Sequence, residues 1–292
     1  MKLGLNLSFA VKRWMEPERL AEICGKTLRT EHIQFSWDLI DPWWPEEARK
    51  RIAARFRQAF TEHGVSIDCT FGGNAAYAFP HLLAPDKDQR EIALEYFKRA
   101  ADLTLELGSS VMGSPAGTYS VSDAKDSGRK EALYQEMIEA LFRLADYGKS
   151  AGLTQIQIEA TPLFSEEPHD IEGSLRLMKS LEDSAIPVRL LLDWGHALFK
   201  PLLGKEADMG LWMRACGPYI GAIHLQQTDG LWDEHWDFTH QKGMLTAEYI
   251  KKTTHESGLD DVYQYLEIVP RYEEFSENVL NGMIRTMEYL RS

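Results

Sequence analysis

Residues 187–196, PVRLLLDWGH, constrain the fold more than any other stretch. Val188 to Leu192 are apolar except for Arg189, and Pro187 marks an edge, so the segment reads as a mostly buried strand of a parallel sheet. The run ends in Asp193, followed by Trp194, Gly195 and His196. A carboxylate in that position is costly to remove from water unless it is paired or bound to a metal. Three other segments repeat the design: QIQIEATP ending around Glu159, YIGAIHLQQTD with His224 and Gln226, and YQYLEIVPR with Glu267.

The rest of the chain supplies the matching elements. Strands are expected over 2–7, 33–36, 65–71, 109–113, 155–158, 187–192, 219–225 and 263–268, the fourth placed mainly because the alternation demands it. Helical spacing covers 14–22, 46–63, 88–107, 129–151, 170–184, 205–216, 246–257 and 272–290. Pro17 suits a first helical turn, Gly64 a helix end and Asp170 a cap. A long polar loop over 226–243 carries Trp232, His235, Trp236 and His240. Eight strand and helix pairs without a linker predict an α/β fold, a single (β/α)8 TIM barrel filling residues 1–292 as one domain.

Such barrels carry their active sites where the strands end at their carboxyl side. Glu159, Asp193, His224 and Glu267 stand at or near the ends of strands five to eight, so four groups distant in sequence are expected on one rim. Taken singly, each carboxylate reads as a loop cap and His224 as a hydrogen-bonded core histidine; together they form a ligand set for one divalent cation. The ion would also relieve the repulsion among the carboxylates. Manganese or magnesium suits so oxygen-rich a set, with cobalt and zinc as alternatives.

Charge and cysteine usage narrow the partners. A formal net charge of −13 argues against nucleic acid and against an anionic membrane surface, but is compatible with a small anion site. Cys24, Cys69 and Cys216 show no CxxC spacing, which argues for a reducing compartment and against a disulfide framework. With no signal-like or membrane-spanning segment, a cytoplasmic protein is expected, and a homo-oligomer is compatible with the sequence.

The order strand-Glu, strand-Asp-x-x-His, strand-His, strand-Glu resembles the xylose-isomerase-like barrel superfamily, and within it the ketose 3-epimerase branch. The resemblance spans essentially the whole chain and is strongest at IEATP (158–162), LLDWGH (191–196), HLQQTD (224–229) and YLEIVPR (265–271). It implies Glu159, Asp193, His224 and Glu267 as metal ligands, Glu159 and Glu267 as the groups that also move protons, and His196 close to the substrate oxygens. Sugar epimerases of that branch commonly carry an arginine in the loop after the histidine strand, where this chain has Thr228, Asp229, Gly230 and Leu231. HLQQTDG and the loop that follows look closer to the branch acting on erythrulose phosphates in tetritol breakdown.

The expectation is therefore a metal-dependent isomerase of a sugar or sugar phosphate, inverting C3 of a ketose through a cis-enediolate. Aldose–ketose isomerisation on the same scaffold is the alternative, because a shift of substrate by one carbon would change which proton moves. A non-catalytic sugar-binding barrel and a metal-dependent endonuclease for damaged DNA are the rival classes, the latter opposed by the acidic charge. Substrate contacts are expected from His196, Gln226, Asn6, Trp14, Trp37 and Arg271. Trp14, Trp37, Phe71 and Trp232 read equally as a wall against sugar carbons or as packing. Arg271 and Lys200 could meet a phosphate, or pair and face solvent in the ordinary way.

Overall fold

Every expected strand is present in the computed structural model, which describes residues 1–79 and 81–292. The strands are β1 (Lys2–Asn6), β2 (His32–Ser36), β3 (Ser66–Phe71), β4 (Val111–Ser114), β5 (Gln155–Glu159), β6 (Val188–Asp193), β7 (Ile220–Leu225) and β8 (Tyr263–Leu266). They run in sequence order around a closed parallel barrel, in which β8 pairs with β1.

Between the strands lie α1 (Pro17–Glu22), α2 (Glu46–Glu62), α3 (Asn74–Tyr77), α4 (Lys87–Glu106), α5 (Ser127–Ala151) and α6 (Ile171–Ser180). The remaining helices are α7 (Trp194–Ala197), α8 (Lys200–Leu203), α9 (Met209–Cys216), α10 (Ala247–Glu256) and α11 (Ser276–Arg291). Among the described residues, no helix is long and apolar enough to cross a membrane.

Polar side chains decide where these elements stop. Asp86, Asp126, Asp170, Asp208 and Thr246 accept backbone N–H groups at the starts of α4, α5, α6, α9 and α10, satisfying donors that a helix leaves open. Gly152 ends α5 in the left-handed region, at φ +117°, where a side chain would be strained.

Several boundaries differ from the sequence expectation for local reasons. Leu7 leaves the first strand for a 3-10 turn, Leu7–Ala10, because the Asn6 side chain accepts from Ser8 N. The first helix begins at Pro17 instead of Trp14, since proline's fixed φ and missing N–H suit an opening turn. The fourth strand starts at Val111, beyond Ser109, whose hydroxyl donates to Asp68 O. The last helix starts at Ser276 instead of 272.

The chain divides into two compact units, residues 1–35, 55–67 and 192–292, and residues 36–54 and 68–191. In the first, β1 pairs with β2 and β8, and β7 pairs with β8; the register sets Asn6 beside Gln34 and His224 beside Tyr265. Gly4 of β1 is small because Tyr265 fills its place: a Cβ there would stand 2.5 Å from the Tyr265 ring.

In the second unit, β3 to β6 pair in order, with Gly113 beside Gln157 and Ile158 beside Leu190. Its helices are tied by the buried Arg49, which donates to both Glu106 oxygens and to Pro42 O, and by Tyr147, which donates to Asp102. Trp37 is packed there against Tyr96 and Phe97, with ring centroids at 5.8 and 6.4 Å.

Candidate metal centre and its surroundings

The apolar body of β6 carries Asp193 to the strand's last position, where the side chain also caps α7. Its Oδ1 accepts His196 N at 3.0 Å and Gln226 Nε2 at 2.8 Å. Oδ2 is buried and has no hydrogen-bond partner among the described residues. A bound cation would compensate the desolvation of a buried carboxylate oxygen in this state.

His224, on β7, and Glu267, one residue beyond β8, face each other with Nδ1 and Oε2 2.8 Å apart. Glu267 is held in place by its own N–H, which donates to Leu225 O at 2.9 Å. Its other carboxylate oxygen accepts Asn6 Nδ2 at 3.1 Å. Burial raises the Glu267 carboxyl, but the facing imidazoles of His224, His235 and His196 outweigh it, and the net shift is downward.

Glu159 ends β5 and is fully buried. Asp193, His224 and Glu267 each offer one ligand atom, and these atoms lie within 4.8 Å of one another. Three carboxylates and one imidazole, all buried, match the donor chemistry of a divalent ion.

Sequence reading did not single out a second group, His196, Asp233 and His235. Asp233 Oδ1 sits 3.2 Å from His196 Nε2, 3.0 Å from His235 Nε2 and 2.9 Å from Gln226 Nε2. Burial opposes every charge here, yet the two imidazoles hold the Asp233 carboxyl well below its usual range. In return Asp233, joined by Glu267 and Asp193, overcomes burial and lifts His235 to about 10. The available signal was Asp-x-His inside the 226–243 loop, which resembles any polar loop until its backbone folds back. It does so through Gln227 N to Trp236 O at 2.9 Å and the reciprocal bond at 3.2 Å.

The remaining expected contacts fall into three kinds. Gln226 is fully buried and its amide is engaged: Nε2 donates to Asp193 and Asp233, and Oε1 accepts His235 N at 2.6 Å. Gly195 makes room for it, since a Cβ would stand 2.5 Å from the Gln226 amide. Asn6 is likewise engaged, donating to Gln34 and Glu267 and accepting from Ser8.

Trp14 is half-buried against Phe9, whereas Trp232 is 68% exposed. Phe71 is buried. Arg271 and Lys200 are exposed; Arg271 O accepts Arg13 Nη2 at 2.6 Å, and Lys200 N donates to Gly230 O at 3.0 Å. Arg271 also lines an open cavity of about 830 Å³, as does His235.

Comparison with known proteins agrees with this architecture. A family model described as xylose isomerase-like TIM barrel matches residues 24–292. D-erythrulose 1-phosphate 3-epimerase of Brucella abortus (strain 2308) is 27% identical over 276 residues, covering 92% of this chain and 88% of that protein. The crystal structure of a putative xylose isomerase from Rhodospirillum rubrum is 42% identical, covers 100% of this chain and 98% of its own, and superposes with a TM-score of 0.97. D-psicose 3-epimerase from Clostridium cellulolyticum H10, solved with D-tagatose, is 14% identical with a TM-score of 0.73 over 100% of this chain and 98% of its own; that likeness bears on the fold.

Proposed function

This chain belongs to the xylose isomerase-like TIM barrel family, and from that premise we propose that it is a metal-dependent 3-epimerase of a ketose or ketose phosphate. The observation that carries the reading is the buried meeting of Asp193, His224 and Glu267, with Glu159 buried at the end of β5. The similarity to a D-erythrulose 1-phosphate 3-epimerase supports a short phosphorylated ketose as substrate. Manganese is the preferred ion on donor chemistry, with magnesium, cobalt or zinc as alternatives.

When bound, the divalent ion supplies a Lewis acid that acidifies the proton on C3 of a ketose. The protein's own residues do the rest. One of Glu159 and Glu267 removes the C3 proton to give a cis-enediolate, and the other returns a proton to the opposite face, inverting the centre. Their roles exchange in the reverse reaction, as microscopic reversibility requires. His196 supplies a hydrogen-bond donor for charge developing on a substrate oxygen.

The roles of Asn6 and Gln226 follow from their engaged amides: they orient Glu267 and Asp193. Arg271, exposed beside the open cavity, is the candidate to attract a phosphate.

The test is proton exchange at C3. Manganese-loaded protein in deuterated water is mixed with ketotetroses, ketopentoses and ketohexoses, free and phosphorylated, and the deuterium is located by NMR. Label at C3 with an inverted product is the expected result. A panel with no exchange at any carbon would end the reading.

Aldose–ketose isomerisation is a second reading, favoured by the similarity to the putative xylose isomerase from Rhodospirillum rubrum. It predicts an aldose product labelled at C2, with label at C1 of the recovered ketose, instead of label at C3.

A further inference from the structure

We propose that Gln34 is a positioning residue of the candidate metal centre: it holds a hydrogen on His224 Nε2, so that Nδ1 is the nitrogen left to the ligand cluster beside Glu267. This inference rests on the metal-dependent reading above, and its test separates the two.

The assignment starts from a group whose polarity is beyond choice. Ser8 N is a backbone donor and lies 2.8 Å from one polar atom of the Asn6 side chain, which must therefore be the carbonyl Oδ1. The Ser8 hydroxyl, 2.7 Å away, meets the same atom. The amide nitrogen of Asn6 consequently points the other way, toward Gln34 at 2.6 Å and the Glu267 carboxylate at 3.1 Å. Its two hydrogens are both committed.

Since Asn6 Nδ2 can only donate, the Gln34 atom it meets must be the carbonyl Oε1. That same Oε1 lies 2.7 Å from His224 Nε2. A carbonyl cannot donate, so His224 Nε2 carries the hydrogen. The ring's other nitrogen, Nδ1, is the one 2.8 Å from Glu267 Oε2, within the ligand cluster. Four residues thus relay one polarity from the backbone of the turn after β1 to a single imidazole nitrogen.

Burial makes this relay consequential. Asn6, Gln34 and His224 are each fully buried, so an amide turned the wrong way would meet no water to repair the mismatch. Metal-ligating histidines generally donate their second N–H to a fixed acceptor, and losing that acceptor typically weakens metal affinity 10–100-fold. Gln34 occupies that place here, and the strand register that sets Asn6 beside it makes the arrangement a property of the β1–β2 pair.

Two substitutions distinguish polarity from packing. Gln34→Met keeps length and burial but cannot accept as an amide carbonyl does; Gln34→Glu keeps the acceptor. Manganese titration of the full-length protein is expected to show affinity falling about 10–100-fold in Gln34→Met. In Gln34→Glu it should stay within a few-fold of the parent protein.

A second readout uses no metal and no turnover. In 15N–1H spectra of the metal-free protein, a protected His224 Nε2–H resonance is expected in the parent and in Gln34→Glu, and is expected to be lost to exchange in Gln34→Met. Thermal melts check that both variants fold. A parent protein without the protected Nε2–H, or equal manganese loss in both variants, would overturn the assignment. A parent with that resonance but no manganese affinity would refute the metal reading while upholding the tautomer.

Discussion

Two histidines in this molecule share an unusual backbone but differ in charge. His81, in the segment between β3 and α4, and His235, in the loop after β7, both have φ of +47°, a region that side chains seldom enter. The His81 ring lies among aromatic neighbours, 4.9 Å from Phe97 and 5.9 Å from Tyr96 between centroids, and its Nε2 meets Ala76 O at 2.6 Å. Burial pushes it down to about 4, and the one carbonyl cannot compensate.

His235 is also removed from water, yet Asp233, Glu267 and Asp193 raise it to about 10. Burial by itself therefore does not decide the charge of a histidine; the partners brought to it do. The neutral ring serves packing, and the charged one belongs to a polar site.

The comparison can be broken most forcefully at Glu267. Glu267→Gln is expected to lower turnover by about 10²–10⁴-fold, the usual contribution of a positioned acid–base group. It should also lower His235 from about 10 while leaving His81 at about 4, both followed by histidine NMR. A shift at His81 of similar size would show that the two environments are not separate.

Acid and alkali should find different histidines. The folded value of His81 is below the ordinary 6.5, so its contribution is complete above 6.5 and is lost as pH falls toward about 4. The loss amounts to roughly 3 kcal/mol at full titration. His235 has its folded value above 6.5, so its contribution is complete below 6.5 and is lost as pH rises through about 10. Urea midpoints measured across pH should therefore fall on both sides. His81→Phe should flatten only the acid side.

Asp233→Asn tests the other half with a smaller effect. His235 should fall toward the ordinary histidine range, and stability at pH 8 should drop by about 1–2 kcal/mol, discounted because Asp233 is partly exposed. The smallest change expected is that of His81→Phe at neutral pH. One hydrogen bond is lost and aromatic packing kept, so stability should move by about 1 kcal/mol or less.

How much of this was legible beforehand depended on whether a residue's partner was near in sequence. Glu159, Asp193, His224 and Glu267 could be selected because each follows an apolar strand, and the barrel topology implied a common rim. Gln34 left only the faint signal of a polar residue within a buried strand, HIQFS. Its role required the β1–β2 register and a contact across to β7. Asp233 and His235 were obscured for another reason: their loop has no periodicity, and its return onto Gln227 is made by two backbone bonds.

The order of apolar runs and helical segments determined the barrel by itself, since buried strands and amphipathic helices alternating along a chain have few other ways to cover their apolar faces. It also determined which carboxylates stand at strand ends. The tertiary structure alone decided which amide hydrogens point where, and which of two similar histidines bears the second proton. Those choices depend on distances of a few ångströms between residues far apart in the chain, and on the absence of water that could otherwise stand in for a missing partner.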